Sequence, residues 1–196
     1  MIDGGAVVGA DGLARCPWGD AGDLLREYHD TEWGVTVRGE QGLFERLVLE
    51  GFQSGLSWLT ILRKRPAFRA AFADFDPDVV AAFTDDRIEE LMLDAGIVRN
   101  RAKVEATRAN ARAVIDLRAD GGLDNFLWSR RPAVSPAPTT VAEVPAVSPE
   151  SAALAKDLKR AGFRFVGPTT AHALMEATGM IDTHLVGCHR RSCAAA

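Results

Sequence analysis

Apolar side chains recur along this chain at helical spacing. Leu43, Phe44, Leu47 and Val48 fall three and four residues apart, the pattern of an amphipathic helix. Asp76-Pro77 reads as an N-cap followed by proline at the first helical position. Thr84 is placed to cap the next helix, whose apolar face is Ile88, Leu91 and Met92. That helix meets Asp94-Ala95-Gly96-Ile97-Val98, where Gly96 is expected to take the left-handed conformation that ends a helix. A second helical pattern starts near Arg99 and runs past Val104 to about Leu117. Helix, tight glycine turn and basic helix read together as a helix-hairpin-helix, although the pattern alone fits any αα-hairpin.

From Ser129 to Pro149 the composition shifts to Ser, Pro, Ala and Thr. Five prolines (132, 136, 138, 145 and 149) exclude regular helix through much of this stretch, which reads as a connector or surface loop. Ser148-Pro149 restarts a helix through Ala153, Leu154 and Leu158 that stops at Gly162, and Pro168 opens another that ends near Gly179. No β-alternation is sustained and no repeat is evident, so the fold class is all-α. Residues 1–14, rich in Gly and Ala, read as a loose tail, and 192–196 as a second tail. Between them, 15–191 form one domain of two helical lobes, about 15–60 with 150–191, and 61–149.

A length of 196 residues suffices for one domain with a real core, and a hydrophobic share of 47% is ordinary for a globular protein. No apolar run approaches the roughly 20 residues that span a bilayer, and the first residues lack the basic and apolar regions of a signal peptide. The expectation is a cytoplasmic protein with no membrane partner. A net charge of −4 argues against nonspecific coating of nucleic acid. The charge is uneven, however: Arg99, Arg101, Lys103, Arg108, Arg112 and Arg118 face only Glu105 and Asp116 within their stretch. This suits either a small DNA footprint or a solvated helix face.

The cysteines are Cys16, Cys188 and Cys193, too few and too far apart for a disulfide framework. Cys16 and His29 near the start, with His184 and Cys188 four apart near the end, make a complete tetrahedral set for zinc. A complete set leaves no open position, so such a zinc would be structural and would clasp the two ends of the chain. His189 and Cys193 have the same separation, and a buried thiol with scattered histidines accounts for the residues equally well.

Glu50 is out of keeping with its neighbours. It lies on the same helix face as Leu43 and Leu47, where a carboxylate is costly unless paired or used, or unless the stripe ends there and it reaches solvent. Two glycines, Gln53 and Trp58 follow close behind. Tyr28, the single tyrosine, directly precedes His29, with Trp18 and Trp33 near in sequence. Rings to stack on, with a hydroxyl and a carboxylate to bond an edge, suit a flat heterocycle; an aromatic core is the plainer alternative.

These segments resemble one family. Arg15-Cys16-Pro17-Trp18, Tyr28-His29-Asp30-Thr31-Glu32-Trp33-Gly34-Val35, Leu49-Glu50-Gly51-Phe52-Gln53-Ser54-Gly55-Leu56-Ser57-Trp58, Asp94-Ala95-Gly96-Ile97, Phe163-Arg164-Phe165-Val166-Gly167-Pro168-Thr169 and Asp182-Thr183-His184-Leu185-Val186-Gly187-Cys188 are similar, in order, to 3-methyladenine DNA glycosylase I. The resemblance runs from about Arg15 to Cys188. It implies a helix-hairpin-helix glycosylase fold and selects Cys16, His29, His184 and Cys188 as ligands of a structural zinc. It further implies that Glu50 and Tyr28 hydrogen-bond the excised base, that Trp58 stacks on it, and that Trp18 borders the pocket. One departure is plain: Leu25 stands where the family often has a second pocket tyrosine.

The function so implied is monofunctional excision of 3-methyladenine from alkylated double-stranded DNA, with free 3-methyladenine as product. The chain is expected to act as a monomer. Gly96, Arg99, Arg101 and Lys103 would hold the DNA backbone, and no lysine in the pocket segments offers a Schiff-base nucleophile. Two other readings compete: a zinc hydrolase with an open metal position, and a lesion-binding paralogue that is non-catalytic or altered in base preference.

Overall fold

The protein is described here by a computed structural model covering residues 4–192; the proposed tail at 193–196, Cys193 included, lies outside the described residues. The start of the chain corrects one expectation. Val7–Val8 (β1) pairs antiparallel with Ala14–Arg15 (β2), so most of residues 1–14 belong to a small ribbon rather than a loose tail. Arg15 secures it: its guanidinium bonds both Asp11 (2.6 Å) and Asp30 (2.7 Å). Beyond the ribbon the chain is helical, as the apolar periodicity predicts.

A 3₁₀ turn over Pro17–Asp20 leads to α1 (Asp23–Thr31), followed by α2 (Glu40–Gln53) and α3 (Trp58–Ala71). The short α4 (Pro77–Ala81) starts where proposed, with the Asp76 carboxylate accepting from the amides of Asp78 and Val79. Thr84 caps α5 (Asp85–Leu93) by accepting from the Arg87 amide. Asn100 caps α6 (Arg101–Leu117), two residues later than the pattern suggests. A short α7 (Gly122–Trp128) precedes the proline-rich connector, whose one regular turn spans Val141–Glu143. Ser148 then caps α8 (Pro149–Arg160), and α9 spans Pro168–Ala177.

Helix α2 is the axis of the molecule. It packs against α3, α6, α7 and α9 and is buried on nearly every side. Its Leu43, Phe44, Leu47 and Phe52 join Phe68 of α3 and Phe72 just beyond it, Val104 and Val114 of α6, and Leu174 and Met175 of α9 in one continuous core. A second, smaller cluster of Cys16, Leu185 and Cys188 sits under Trp18 and Trp33, where the ends of the chain meet. The termini are joined there by backbone as well: the His189 amide donates to the Ala14 carbonyl at 2.8 Å. Among the described residues no helix is long and apolar enough to cross a membrane.

Candidate functional site: a carboxyl-lined aromatic pocket

Helices α1, α2, α3 and α9 converge on a cavity of about 580 Å³. Trp18, Leu25 and Tyr28 line it from the N-terminal side, Glu50 from α2, Trp58 from the start of α3, and Glu176 from α9. The Tyr28 and Trp58 rings stand 5.3 Å apart, tilted by 48°, and Trp18 lies 6.3 Å from Tyr28. The residues singled out for base binding therefore share one space. Leu25, the departure from the family pattern, is part of its wall.

Three polar groups of this space lack a hydrogen-bond partner among the described residues. Glu50 is 5% exposed, and burial with the charges of Glu176 and Arg46, rather than any hydrogen bond, sets the state of its carboxyl. The Tyr28 hydroxyl and the Trp58 indole N–H are likewise buried without a hydrogen bond. Buried polar groups are normally satisfied, so two orphaned donors and a carboxyl without a hydrogen bond around one cavity mark a place for a polar, flat ligand. Burial pushes the Glu50 carboxyl up to about 8, the nearby Glu176 adding to the effect and Arg46 opposing it. Burial also raises the Tyr28 phenol far above its ordinary range, so it is a hydroxyl donor at neutral pH.

Two features of the site escaped the sequence reading. Arg46 and Arg65 both bind Glu32 (2.7 and 2.6 Å), and Arg46 lies 5.7 Å from the Tyr28 ring centroid. These hydrogen bonds hold the Glu32 carboxylate down to about 2 against the cost of its burial, and they place Arg46 behind Tyr28. The other feature is Glu176. Its signal was present, since Leu174, Met175 and Ala177 surround it with apolar helix, the same incongruity that drew attention to Glu50.

A second constellation lies beside the cavity. The ligand atoms of Cys16, His29 and Cys188 all fall within 4.8 Å of one another, and all three residues are buried. The Cys188 sulfur is 3.5 Å from His29 Nε2. His29 Nδ1 is tied to Asp30 at 2.7 Å, and His184 Nδ1 to Asp182 at 2.9 Å. Each ring is thus oriented by a carboxylate, the arrangement that fixes metal-binding imidazoles. His184 Nε2 is buried with no partner, and its ring lies 5.3 Å from that of His29. Cys16, His29 and Cys188 could therefore hold a metal, whereas His184, the fourth ligand expected from the sequence, faces His29 but lies outside that three-residue cluster. The Cys16 thiol, and to a smaller extent His29, favours the Cys188 thiolate, holding that thiol below its usual range against the cost of burial. Close backbone approach is required here: a Cβ on Gly34, at φ +75°, would stand 2.6 Å from His184 Cε1. The competing histidine is engaged elsewhere, with His189 Nδ1 2.9 Å from the Ala14 carbonyl.

The proposed DNA-binding residues divide. Arg99 is exposed and forms no ion pair among the described residues, whereas Arg101 makes a bidentate pair with Glu89 at 2.7 and 2.6 Å. Lys103 corrects the expectation of a phosphate-facing cation. It is 7% exposed, and its ammonium is held by the carbonyls of Phe52 and Ser54 at the end of α2 (2.8 and 2.7 Å). Those carbonyls have no helical partner, so an inward-turned lysine serves as their cap. Arg108 and Arg118 are paired with Asp85 and with Glu40 and Asp78, which shrinks the basic stretch further. Gly96 is another correction: it does not adopt positive φ. Asp94 ends α5 instead, accepting the Gly96 amide at 2.7 Å, and glycine is needed because a Cβ would meet Ala67 at 2.9 Å. Lys64, from α3, donates to the carbonyls of Ala95 (2.9 Å) and Gly96 (3.1 Å) and so pins the turn.

Paired helices around a short turn, with an aromatic and acidic cavity beside the central helix, define a helix-hairpin-helix DNA glycosylase. The comparisons agree, and the chain belongs to the methyladenine glycosylase family, whose profile matches residues 18–191. It is 44% identical over 180 residues to the DNA-3-methyladenine glycosylase 1 of Escherichia coli (strain K12), covering 90% of this chain and 96% of that protein. A crystal structure of 3-methyladenine DNA glycosylase I superposes with a TM-score of 0.87 at 39% identity, covering 90% of this chain and 99% of that one. The enzyme from Staphylococcus aureus gives 0.86 at 36% identity, covering 90% and 96%.

Proposed function

We propose that this chain excises 3-methyladenine from alkylated double-stranded DNA as a monomeric, monofunctional glycosylase. The observation that carries this reading is the buried, unpartnered Glu50 carboxyl facing the same cavity as Tyr28 and Trp58. Methylation at N3 makes the adenine ring cationic and a good leaving group. Flipping it out of the stack costs a few kcal/mol, and least for a damaged pair. In the cavity Trp58 stacks on the ring, with about 1–2 kcal/mol of cation–π attraction. The Glu50 carboxylate and the Tyr28 hydroxyl bond its edge. The bond from N9 to the deoxyribose carbon breaks with its electrons passing to the base, which becomes neutral. Water adds to the sugar carbon and gives up a proton. No lysine lines the cavity among the described residues, in keeping with hydrolysis rather than a covalent lyase route.

Cys16, His29, His184 and Cys188 would hold a zinc ion. With four protein ligands the ion supplies a structural tie and leaves no position for a reacting water.

At the DNA surface the hairpin turn around Gly96 and the exposed Arg99 take the phosphate, and Arg101 adds charge by exchanging Glu89 for it. Arg99→Ala is therefore expected to reduce the slope of log affinity against log salt by about 1. Lys103→Met is expected to leave that slope unchanged while destabilising the fold by about 1–3 kcal/mol, because it strands two carbonyls. Titration of a duplex at several salt concentrations, with thermal melts of both variants, checks the pair.

The function itself is tested by incubating the protein with methylated duplex DNA and identifying what is released. Free 3-methyladenine with an intact abasic strand is expected. Binding to the lesion with no released base would overturn catalysis and leave a lesion-binding protein.

A further inference from the structure

The cavity contains a second carboxyl for which the reaction described above has no use. Glu176 lies on α9 with its side chain 15% exposed, and it lines the same cavity as Glu50. The Thr183 hydroxyl donates to its Oε1 at 2.6 Å, fixing its aim. One helical turn earlier, His172 Nε2 lies 3.8 Å away. From α2 the facing groups are Glu50 and, beyond it, Arg46, whose guanidinium is committed to Glu32 at 2.7 Å. No arginine or lysine lines the cavity among the described residues.

Two carboxyls thus share one desolvated space with no cation between them. Burial pushes Glu176 up to about 7, against the Thr183 hydrogen bond, and Glu50 is raised further still. Ionising both in such a space is costly, so in the empty protein near neutral pH they hold protons rather than stand as two charges. A positively charged ring bound in the cavity they both line offsets that cost, because it favours the ionised form of each carboxyl. A neutral purine removes none of it. The second carboxyl therefore contributes chiefly to discrimination between charged and uncharged bases.

We propose that Glu176 is a specificity-determining group of this pocket, a second carboxylate that, with Glu50, selects a cationic purine over a neutral one. The proposal rests on the base-binding reading of the cavity. It assigns Thr183 a positioning role, since that hydroxyl aims the carboxylate.

The test uses two probes with the purified full chain: the permanently cationic 3,9-dimethyladeninium and neutral adenine. Binding is followed by quenching of tryptophan fluorescence. Glu176→Gln keeps an acceptor for Thr183 and nearly the same shape. It is expected to weaken binding of the cation by about tenfold while changing adenine binding less than about twofold. Thr183→Val is expected to shift the cation-to-neutral ratio in the same direction by a smaller factor. An unchanged ratio in Glu176→Gln would overturn the proposal, and so would an equal loss for both probes, which marks a structural role. Glu50→Gln in the same assay separates the two levels of the argument. If it loses the cation and Glu176→Gln does not, only this inference fails. If the unmodified protein binds neither probe, the base-binding reading fails with it.

Discussion

Glu50→Gln is expected to lower affinity for free 3-methyladenine about 10- to 100-fold and to slow excision by at least as much. The range is that of one charge-assisted hydrogen bond, about 1.5–3 kcal/mol. The fold should survive, because the carboxyl has no partner to strand and glutamine has the same shape. The stability of the two proteins should also part with pH. Burial, and secondarily Glu176, raises Glu50 from 4.5 to about 8 in the folded chain. A raised carboxyl contributes its stability in full below its unfolded value and loses it as pH rises through the folded one. The Tm of the unmodified, ligand-free protein should therefore fall as pH is raised from about 5 to about 8, and the variant should show a flatter slope. Some slope should persist, because Glu176 is pushed up to about 7 by the same burial. Full affinity and activity in the variant would remove residue 50 from the chemistry.

Loss of metal is expected to have the larger effect on stability. Cys16 and Cys188 sit with Leu185 in a small apolar cluster apart from the main core, His29 lies against them, and together they join the two ends of the described chain. Zinc binding in small domains contributes about 10 kcal/mol or more, and half of that, about 5 kcal/mol, is a modest allowance here. At about 2–4 °C per kcal/mol, chelation or Cys188→Ser should lower Tm by about 10–20 °C. The test is a melt with and without chelator, followed by re-addition of zinc, alongside a metal assay of the purified protein. A catalytic zinc predicts another outcome: activity lost with Tm unchanged. A protein that purifies without stoichiometric metal and melts identically with chelator would refute the clasp.

Much of this molecule was legible from its sequence where local chemistry decides the structure. The caps at Asp76, Thr84 and Ser148 start helices as their side chains dictate, because each satisfies amides that nothing else can reach. Glu50 stood out because a carboxyl on an apolar stripe needs a reason. Tertiary partners were less legible. Lys103 looks like any cation on a basic helix, and only the arrival of the end of α2 against α6 reveals two carbonyls that need its ammonium. Gly96 fails as a left-handed cap for a similar reason: Asp94 turns the chain, and the glycine makes room for Ala67 of α3. The ribbon at Val7–Val8 is two residues wide, too short for alternation to signal. Glu176 was a missed inference rather than an invisible one.

The contacts between the two ends of the described chain also bear on the order of events during synthesis. The Leu185 amide reaches the Cys16 sulfur across 169 positions of sequence, and His189 reaches Ala14 across 175. Contacts of such span cannot form until the ribosome has made nearly the whole described chain. Until then the indoles of Trp18 and Trp33 have no lid, and the wall that α9 provides is missing. A polypeptide that lacks its last segment would hence leave these aromatic side chains uncovered, the kind of exposed apolar surface that favours aggregation.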